Sequence, residues 1–203
     1  MKVRFYTMIL LALVVMGAGC DEEKNDTISG KSFSDCVVSF EQGEDFEVAT
    51  FNLQEFPKET NTIMHAAELL KHINADVVAV QEISSAEALE ELAAKMEGWA
   101  SVFTPSPTDY NMSLGYLVKM TEVELIEEES QVWFDDEKDA FPRSPFVIKV
   151  RHRDSGAETL LVNIHLKAMG DSESVGRRRK ASNMLQEYLD ANHPDDHVIV
   201  LGD

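Results

Sequence analysis

Apolar and polar positions follow two different periods in the first half of the chain. Apolar or β-branched residues recur at every second position from Phe46 to Thr50 in DFEVATFNLQEFP, as on one face of a strand. ETNTIMHAAELLKHIN has helical spacing, and ADVVAVQEI is a continuous apolar run typical of a strand covered on both faces. SSAEALEELAAKMEG predicts a helix with a capping box from Ser84 to Glu87 and a stop at Gly98. This alternation predicts an α/β layered fold.

Strand patterns dominate the second half of the chain. SLGYLVKM and EVELIEEE are two candidate strands, and PFVIKVRH and TLLVNIHL form a predicted hairpin because the turn sequence RDSGAE joins them. A helix is predicted from Gly176 to Ala191, and VIVLGD, which ends at Asp203, is the last strand. No internal repeat interrupts these elements, so we expect one domain.

The first 44 residues have a different character. Two basic residues, an apolar stretch and small residues precede Cys20, which is the pattern of a secretory signal peptide. GAGC also resembles the lipobox of bacterial lipoproteins, although Gly17 stands where that motif usually has Leu or Val. The resemblance implies a lipid on Cys20, and an ordinary secreted protein is the alternative. We therefore expect an exported protein with a signal peptide over 1–19, a lipidated cysteine and polar tether over 20–44, and a domain over 45–203.

The charge of the chain limits its partners. The 203 residues include 18 Lys and Arg against 37 Asp and Glu, a formal net charge of −19. The predicted cleavage removes two basic and no acidic residues, which leaves 16 against 37 and a net charge of −21. Such a chain has no broad basic surface for nucleic acid. A phosphate-bearing substrate therefore needs local help, most simply from a divalent cation.

Five polar residues share one position relative to the predicted strands. Asn52, Glu82, His165 and Asp203 each lie at the end of a strand, and Arg143 lies just before PFVIKV. Layered α/β proteins place their sites just past the ends of buried strands. Each residue alone also suits a structural role: a turn, a first exposed position, a core histidine or a solvated loop charge.

The chemistry of the five residues is coherent as a set. Carboxylates such as Glu82 and Asp203 suit Mg²⁺, which prefers oxygen ligands. Asn52 can donate to a phosphate oxygen or orient a water, and Arg143 offers a bidentate fork for a phosphate. His165 can form a hydrogen bond with a phosphoryl group or protonate it. The set therefore suits metal-assisted attack of water on phosphorus.

The order of these residues resembles that of the endonuclease/exonuclease/phosphatase superfamily, which contains DNase I, exonuclease III, the inositol polyphosphate 5-phosphatases and bacterial sphingomyelinases. TFNLQEF resembles the first motif of the superfamily and contains Asn52. DVVAVQEI resembles its Gln-Glu motif and contains Glu82. AFPRSPFVIKV resembles its Arg-x-Pro segment and contains Arg143. LVNIHLKA is similar to the segment ending in its first active-site histidine, His165, and VIVLGD to the start of its Gly-Asp-x-Asn motif, with Asp203. The resemblance covers the whole predicted domain.

The resemblance implies a DNase I-like α/β sandwich, in which two mixed β-sheets pack face to face with helices outside. It implies that Glu82 ligates the metal, Mg²⁺ with Mn²⁺ or Ca²⁺ as alternatives, and that Asn52 and His165 contact the scissile phosphate. Asp203 would orient the attacking water, and Arg143 would clamp the phosphate. We expect a monomer that acts on a phosphate ester and reaches a membrane through its lipid anchor.

The resemblance also predicts residues beyond the end of VIVLGD. In the superfamily, Gly-Asp is followed by x-Asn, by further strands of the second sheet and by a late Asp-His pair that supplies the general base. We therefore expect that the chain ending at Asp203 is an incomplete and inactive form of the domain, truncated before the end of the second sheet, with a naturally shortened protein as the alternative.

Three function classes are compatible with these observations. A nuclease-like phosphodiesterase stands first, because the first three motifs look more like the nuclease branch. A phosphoinositide phosphatase or a sphingomyelinase-like lipid phosphoesterase is the alternative, so nucleic acid, nucleotide and phospholipid all remain candidate substrates. A non-catalytic lipoprotein that kept the scaffold as a binding module is the third class.

Overall fold

The computed structural model describes residues 39–40, 45–59, 61–108 and 112–203. The predicted signal peptide, Cys20 and nearly all of the predicted tether lie outside these residues. Within the described part of the chain, no helix combines the length and the apolar character that crossing a bilayer requires.

The first sheet has four strands in the order β1-β2-β4-β3. Its strands are β1 Val48–Phe56, β2 Val77–Ile83, β3 Trp99–Phe103 and β4 Ser113–Lys119. β1 and β2 run parallel because helix α1, Thr62–Ile73, returns the chain between them. β4 runs antiparallel to both of its neighbours. Every residue of β4 is buried, as a strand between two others in a covered sheet requires.

The second sheet also has four strands, in the order β5-β6-β7-β8. Its strands are β5 Val123–Val132, β6 Arg143–His152, β7 Glu158–His165 and β8 Val198–Gly202. β6 and β7 form the predicted antiparallel hairpin, and β8 runs parallel to β7 after helix α3, Ser172–Asn192. The two candidate strands SLGYLVKM and EVELIEEE fall in different sheets.

The two sheets pack face to face around a shared apolar core. Residues of the first sheet, such as Ala79 and Tyr116, meet Phe146, Ile148 and Leu161 of the second sheet in this core. Helix α1 and helix α2, Ala86–Ala94, cover the outer face of the first sheet, and α3 covers that of the second. The predicted DNase I-like sandwich with helices outside is therefore confirmed.

Three predicted helix boundaries are wrong, and capping explains the two that are helix starts. The N-cap of α2 is Ser85, whose side chain accepts a hydrogen bond from the Ala88 N–H, and not Ser84. This helix ends at Ala94, before the predicted stop. Helix α3 begins at Ser172 and not at Gly176, because the Asp171 carboxylate caps the Ser174 N–H.

Candidate active site

Strand directions bring the five predicted residues to one edge of the sandwich. The parallel strands β1 and β2 carry Asn52 and Glu82 toward this edge, and the parallel strands β7 and β8 carry His165 and Asp203 there. Arg143 opens β6 and is the register partner of His165. Carboxylates from both sheets therefore meet a guanidinium and an imidazole at one place.

Glu82 lies in a β-bulge that turns its side chain into the site. The residue has φ of +64°, and the register with β4 shifts between Gln81 and Ile83. A left-handed backbone is unfavourable for a residue with a Cβ and recurs at functional sites. The Glu82 side chain is 15% exposed. Its carboxylate accepts hydrogen bonds from Asn52 Nδ2 at 2.8 Å and from the Glu55 N–H at 3.1 Å.

Asn52 joins the two carboxylates of the site. Its Nδ2 donates to Glu82 Oε1 and to Asp203 Oδ2, each at 2.8 Å. Its Oδ1 accepts from the Gln54 N–H at 2.9 Å. Because a backbone N–H can only donate, this third bond fixes which end of the amide faces the carboxylates. One amide therefore holds acids from both sheets.

Gly202 brings Asp203 close to the neighbouring strand. Gly202 has φ of +141°, and a Cβ at this position would overlap the carbonyl oxygen of Ile164. Two backbone bonds follow this close approach: the Asp203 N–H donates to Ile164 O at 3.1 Å, and the Leu166 N–H donates to Asp203 O at 2.8 Å. These bonds fix the backbone on both sides of the Asp203 side chain.

His165 is buried between the two carboxylates and Arg143. Its Nε2 lies 3.7 Å from Glu82 Oε1 and 3.9 Å from Asp203 Oδ2, and the side chain is 6% exposed. Burial and the neighbouring Arg143 charge lower the pKa of His165 to about 4, against the opposing effect of both acids. The imidazole is therefore neutral at pH 7. Its Nδ1 has no hydrogen-bond partner among the described residues.

Arg143 supplies the positive charge of the site. Burial lowers its pKa, and the carboxylates of Glu82 and Asp203 raise it. Because the pKa of arginine starts so high, the guanidinium stays charged. Its buried Nε finds no acceptor in the part of the chain that the structure describes. A donor without an acceptor beside two acids is ready for an anionic ligand.

The acids and the imidazole fit a divalent cation. Glu82, His165 and Asp203 each offer one ligand atom, and these three atoms lie within 4.8 Å of one another. Carboxylate oxygens are the ligands that Mg²⁺, Mn²⁺ and Ca²⁺ prefer. Two carboxylates this close repel each other unless a positive charge lies near, and a cation between them would remove that cost.

Two polar residues beneath the site were not predicted as functional. Gln81 and Asn163 are both fully buried. The sequence holds a signal for them, because each interrupts an apolar strand, in VVAVQ and LLVNI. A buried amide in such a run needs hydrogen-bond partners, and these partners identify structural or functional networks.

The fold and the acid-rich edge together define a class of proteins, the α/β sandwiches with a carboxylate site at the strand ends. A sequence profile described as "Endonuclease/Exonuclease/phosphatase family" matches residues 49–203. The chain therefore belongs to the endonuclease/exonuclease/phosphatase family. A search of curated protein sequences found no match.

Solved structures of this fold are similar at low identity. TDP2 from D. rerio, complexed with a single-strand DNA product, is 17% identical with a TM-score of 0.60, over 78% of this chain and 60% of that one. The catalytic domain of human Nocturnin with bound sulfate is 15% identical with a TM-score of 0.61, over 81% and 66%. A Bacteroides thetaiotaomicron mannosyl-6-phosphatase is 14% identical with a TM-score of 0.56, over 78% and 65%. The chain thus spans less than two thirds of these structures.

Proposed function

We propose that this chain belongs to a phosphoester hydrolase that uses a divalent cation and cleaves its substrate by attack of water on phosphorus. One observation carries the proposal: Glu82, His165 and Asp203 come from both sheets and place their ligand atoms within 4.8 Å of one another. Membership of the family supports the reaction class.

Glu82 would hold the cation, because it is the better anchored of the two acids. Its carboxylate is fixed by Asn52 and by the Glu55 N–H, so little conformational freedom is lost when an ion binds. A divalent cation held there would offset the negative charge that develops on the phosphoryl oxygens in the transition state.

The three nitrogen-bearing side chains suit contact with the phosphate. Arg143 has a planar set of donors that matches phosphate geometry. His165 is neutral at pH 7 because its pKa is about 4, which favours hydrogen bonding to the phosphoryl group over protonating it. Asn52 donates both of its Nδ2 protons to the carboxylates, so it would contact the phosphate by exchanging one of these bonds.

Asp203 is the group that we propose orients the attacking water. Backbone hydrogen bonds to β7 hold it on both sides. The water oxygen would form the new P–O bond and release one proton as the ester P–O bond breaks, and the leaving oxygen would take up one proton, so that the net reaction adds one water to the ester.

Phosphodiesters are the first substrates to test, and phosphomonoesters are the second. One similar structure is named for a DNA product and another for a phosphatase activity on a sugar phosphate. The formal net charge of −19 repels long polyanions. Short or small phosphate esters therefore suit the molecule better than long duplex DNA.

The test is a Glu82→Gln variant of the protein expressed from its complete gene. Glutamine keeps the shape but loses the charge, so hydrolysis of bis(4-nitrophenyl) phosphate in Mn²⁺ or Mg²⁺ should fall about 100-fold or more. The measurement is the rate with and without chelator. Glu90→Gln, an exposed acid on α2, is the matched control and should retain the wild-type rate.

Cation-dependent hydrolysis that persists in Glu82→Gln would contradict the proposal. Calorimetric titration with Mn²⁺ separates the remaining alternatives. Wild-type protein that binds the ion but hydrolyses no phosphate ester is a binding module with a retained metal site.

A further inference from the structure

A buried polar cluster joins the two sheets directly beneath the site. Gln81 Nε2 donates to Asn163 Oδ1 at 2.8 Å and to Thr50 Oγ1 at 3.0 Å. Asn163 Nδ2 donates to the carbonyl oxygens of Val80 at 3.0 Å and Gly115 at 2.9 Å. Gln81 and Asn163 are both 0% exposed. Every N–H of both side-chain amides is therefore used.

Each member of the cluster is close along its strand to a residue of the site. Gln81 immediately precedes Glu82. Asn163 is two residues before His165, so their side chains lie on the same face of β7. Thr50 has the same relation to Asn52 on β1. Gln81 and Thr50 belong to the first sheet and Asn163 to the second, so the cluster connects the halves from which the site is assembled.

Stability alone does not account for this cluster. Apolar side chains of the same volume would fill the space between the sheets at equal or lower cost, because buried polar groups lose their water. Apolar packing, however, is not directional. Hydrogen bonds fix both distance and angle. The site needs such a constraint, because its ligand atoms come from two different sheets. Without these hydrogen bonds, apolar packing alone would set the position of one sheet relative to the other.

We propose that Gln81 and Asn163 are positioning residues, which set the placement of Glu82 relative to His165 and Asp203 by fixing one sheet against the other. They touch neither the substrate nor the cation and act only through their neighbours on β2 and β7. The proposal rests on the proposed function, since a hydrolase is what needs this alignment.

Tyr116 provides a matched control within the same core. Its hydroxyl, on the first sheet, lies 2.9 Å from Phe146 O and 2.8 Å from Leu161 O, both on the second sheet. The residue is 0% exposed. Its register partner is Ala79, three residues before Glu82, so it bridges the sheets farther from the site.

The experiment compares Gln81→Met, Asn163→Leu and their double variant with Tyr116→Phe, in the protein expressed from its complete gene. The readouts are the urea midpoint, Mn²⁺ affinity by calorimetry, and kcat and KM for bis(4-nitrophenyl) phosphate. We expect the cluster variants to lose at least about 10-fold in kcat and in Mn²⁺ affinity with KM changed less, as for residues that orient ligands. Tyr116→Phe should lower the urea midpoint alone.

The double variant keeps the test decisive if a single variant fails to fold. It replaces both amides by apolar groups, so neither amide is left buried without the other, and its loss of stability should be smaller than the sum of the two single losses. If the two residues act as a pair, its loss of kcat is no larger than that of either single variant.

Three results would overturn the inference. If the cluster variants keep the wild-type kcat and Mn²⁺ affinity, the cluster has only a structural role. The same conclusion follows if Tyr116→Phe loses as much kcat and Mn²⁺ affinity as the cluster variants do. If wild-type protein neither binds Mn²⁺ nor hydrolyses the ester, the proposed function and this inference fail together. If wild-type protein binds Mn²⁺ but is inactive, only the hydrolase assignment fails, and Mn²⁺ affinity alone tests the positioning role.

Discussion

At the scale of single residues, Gly202 and Glu82 show how backbone conformation places the acids. Glu82 adopts a left-handed backbone that costs energy in a residue with a side chain, and surrounding bonds hold it there. At Gly202 the constraint is space, because the Ile164 carbonyl occupies the volume that a Cβ would need. One position therefore tolerates strain, and the other excludes every residue except glycine.

Gly202→Ala should lower the free energy of unfolding by at least about 2 kcal/mol, because the new methyl group forces β8 away from β7. Gly176→Ala is the control, because it makes the same glycine-to-alanine substitution at another position. Gly176 lies in α3 with open space where a Cβ would be placed, so alanine should raise stability by about 0.5–1 kcal/mol. Urea unfolding measures both changes, and equal effects at the two glycines would contradict this account.

At the scale of elements, the spacing of apolar residues and the turn sequences predicted nearly every helix and strand. The boundaries of the helices depended on capping residues. The continuous apolar run DVVAVQE predicted a strand covered on both faces, and β2 is that strand. Two serines in succession, Ser84 and Ser85, are equally good caps by composition. The choice between them is made by the bulge at Glu82 and by the bond from the Ser84 N–H to Phe56 O, which no local pattern contains.

Ser85→Ala should destabilise the protein by about 1 kcal/mol, because the Ala88 N–H then loses its acceptor at the start of α2. Ser84→Ala tests the neighbouring hydroxyl of the same residue type and should change stability by less than about half of that amount. Thermal unfolding of the two variants measures the difference. A larger loss at Ser84 would restore the boundary predicted from sequence.

The site was more predictable from sequence than its support. The prediction that all four residues lie at strand ends is correct for His165 and Asp203, which end β7 and follow β8. It is wrong for Asn52 and Glu82, which lie inside β1 and β2 at irregularities of the strand register. Parallel pairing of β1 with β2 and of β7 with β8 nevertheless brings the four residues to one edge. The pairing of Gln81 with Asn163 spans 82 residues and two sheets. It follows from sheet stacking, which a single sequence does not encode as a local pattern.

At the scale of the whole molecule, acidic groups at the opposite end of the first sheet link stability to pH. Glu47 precedes β1 and Asp76 precedes β2, and the Glu47 N–H donates to Asp76 Oδ2 at 2.9 Å. Burial, together with the Asp76 carboxyl, raises the pKa of Glu47 from its ordinary 4.5 to about 7. A raised pKa means that the folded state binds the proton more tightly, so this contribution to stability is full below pH 4.5 and is lost as pH rises through 7.

Glu47→Gln should therefore flatten the pH dependence of stability. The amide resembles the protonated acid, so the variant should lose less stability between pH 5 and pH 8 than the wild-type protein does. Urea midpoints at the two pH values measure this difference. Glu187→Gln, an exposed acid on α3, removes the same charge and should follow the wild-type curve. A Glu47 variant with an undiminished pH slope would show that this pair does not bind the proton.

The side-chain amide of Asn52, which both carboxylates share, is a probe of the site for NMR spectroscopy. Both of its Nδ2 protons are donated to carboxylates, one from each sheet, whereas most side-chain amides at a surface exchange freely with water. The two proton resonances of this one group therefore report separately on the two halves of the sandwich. A sliding of the sheets, the arrival of an ion or the loss of either acid would each leave a different signature in the same pair of NMR signals.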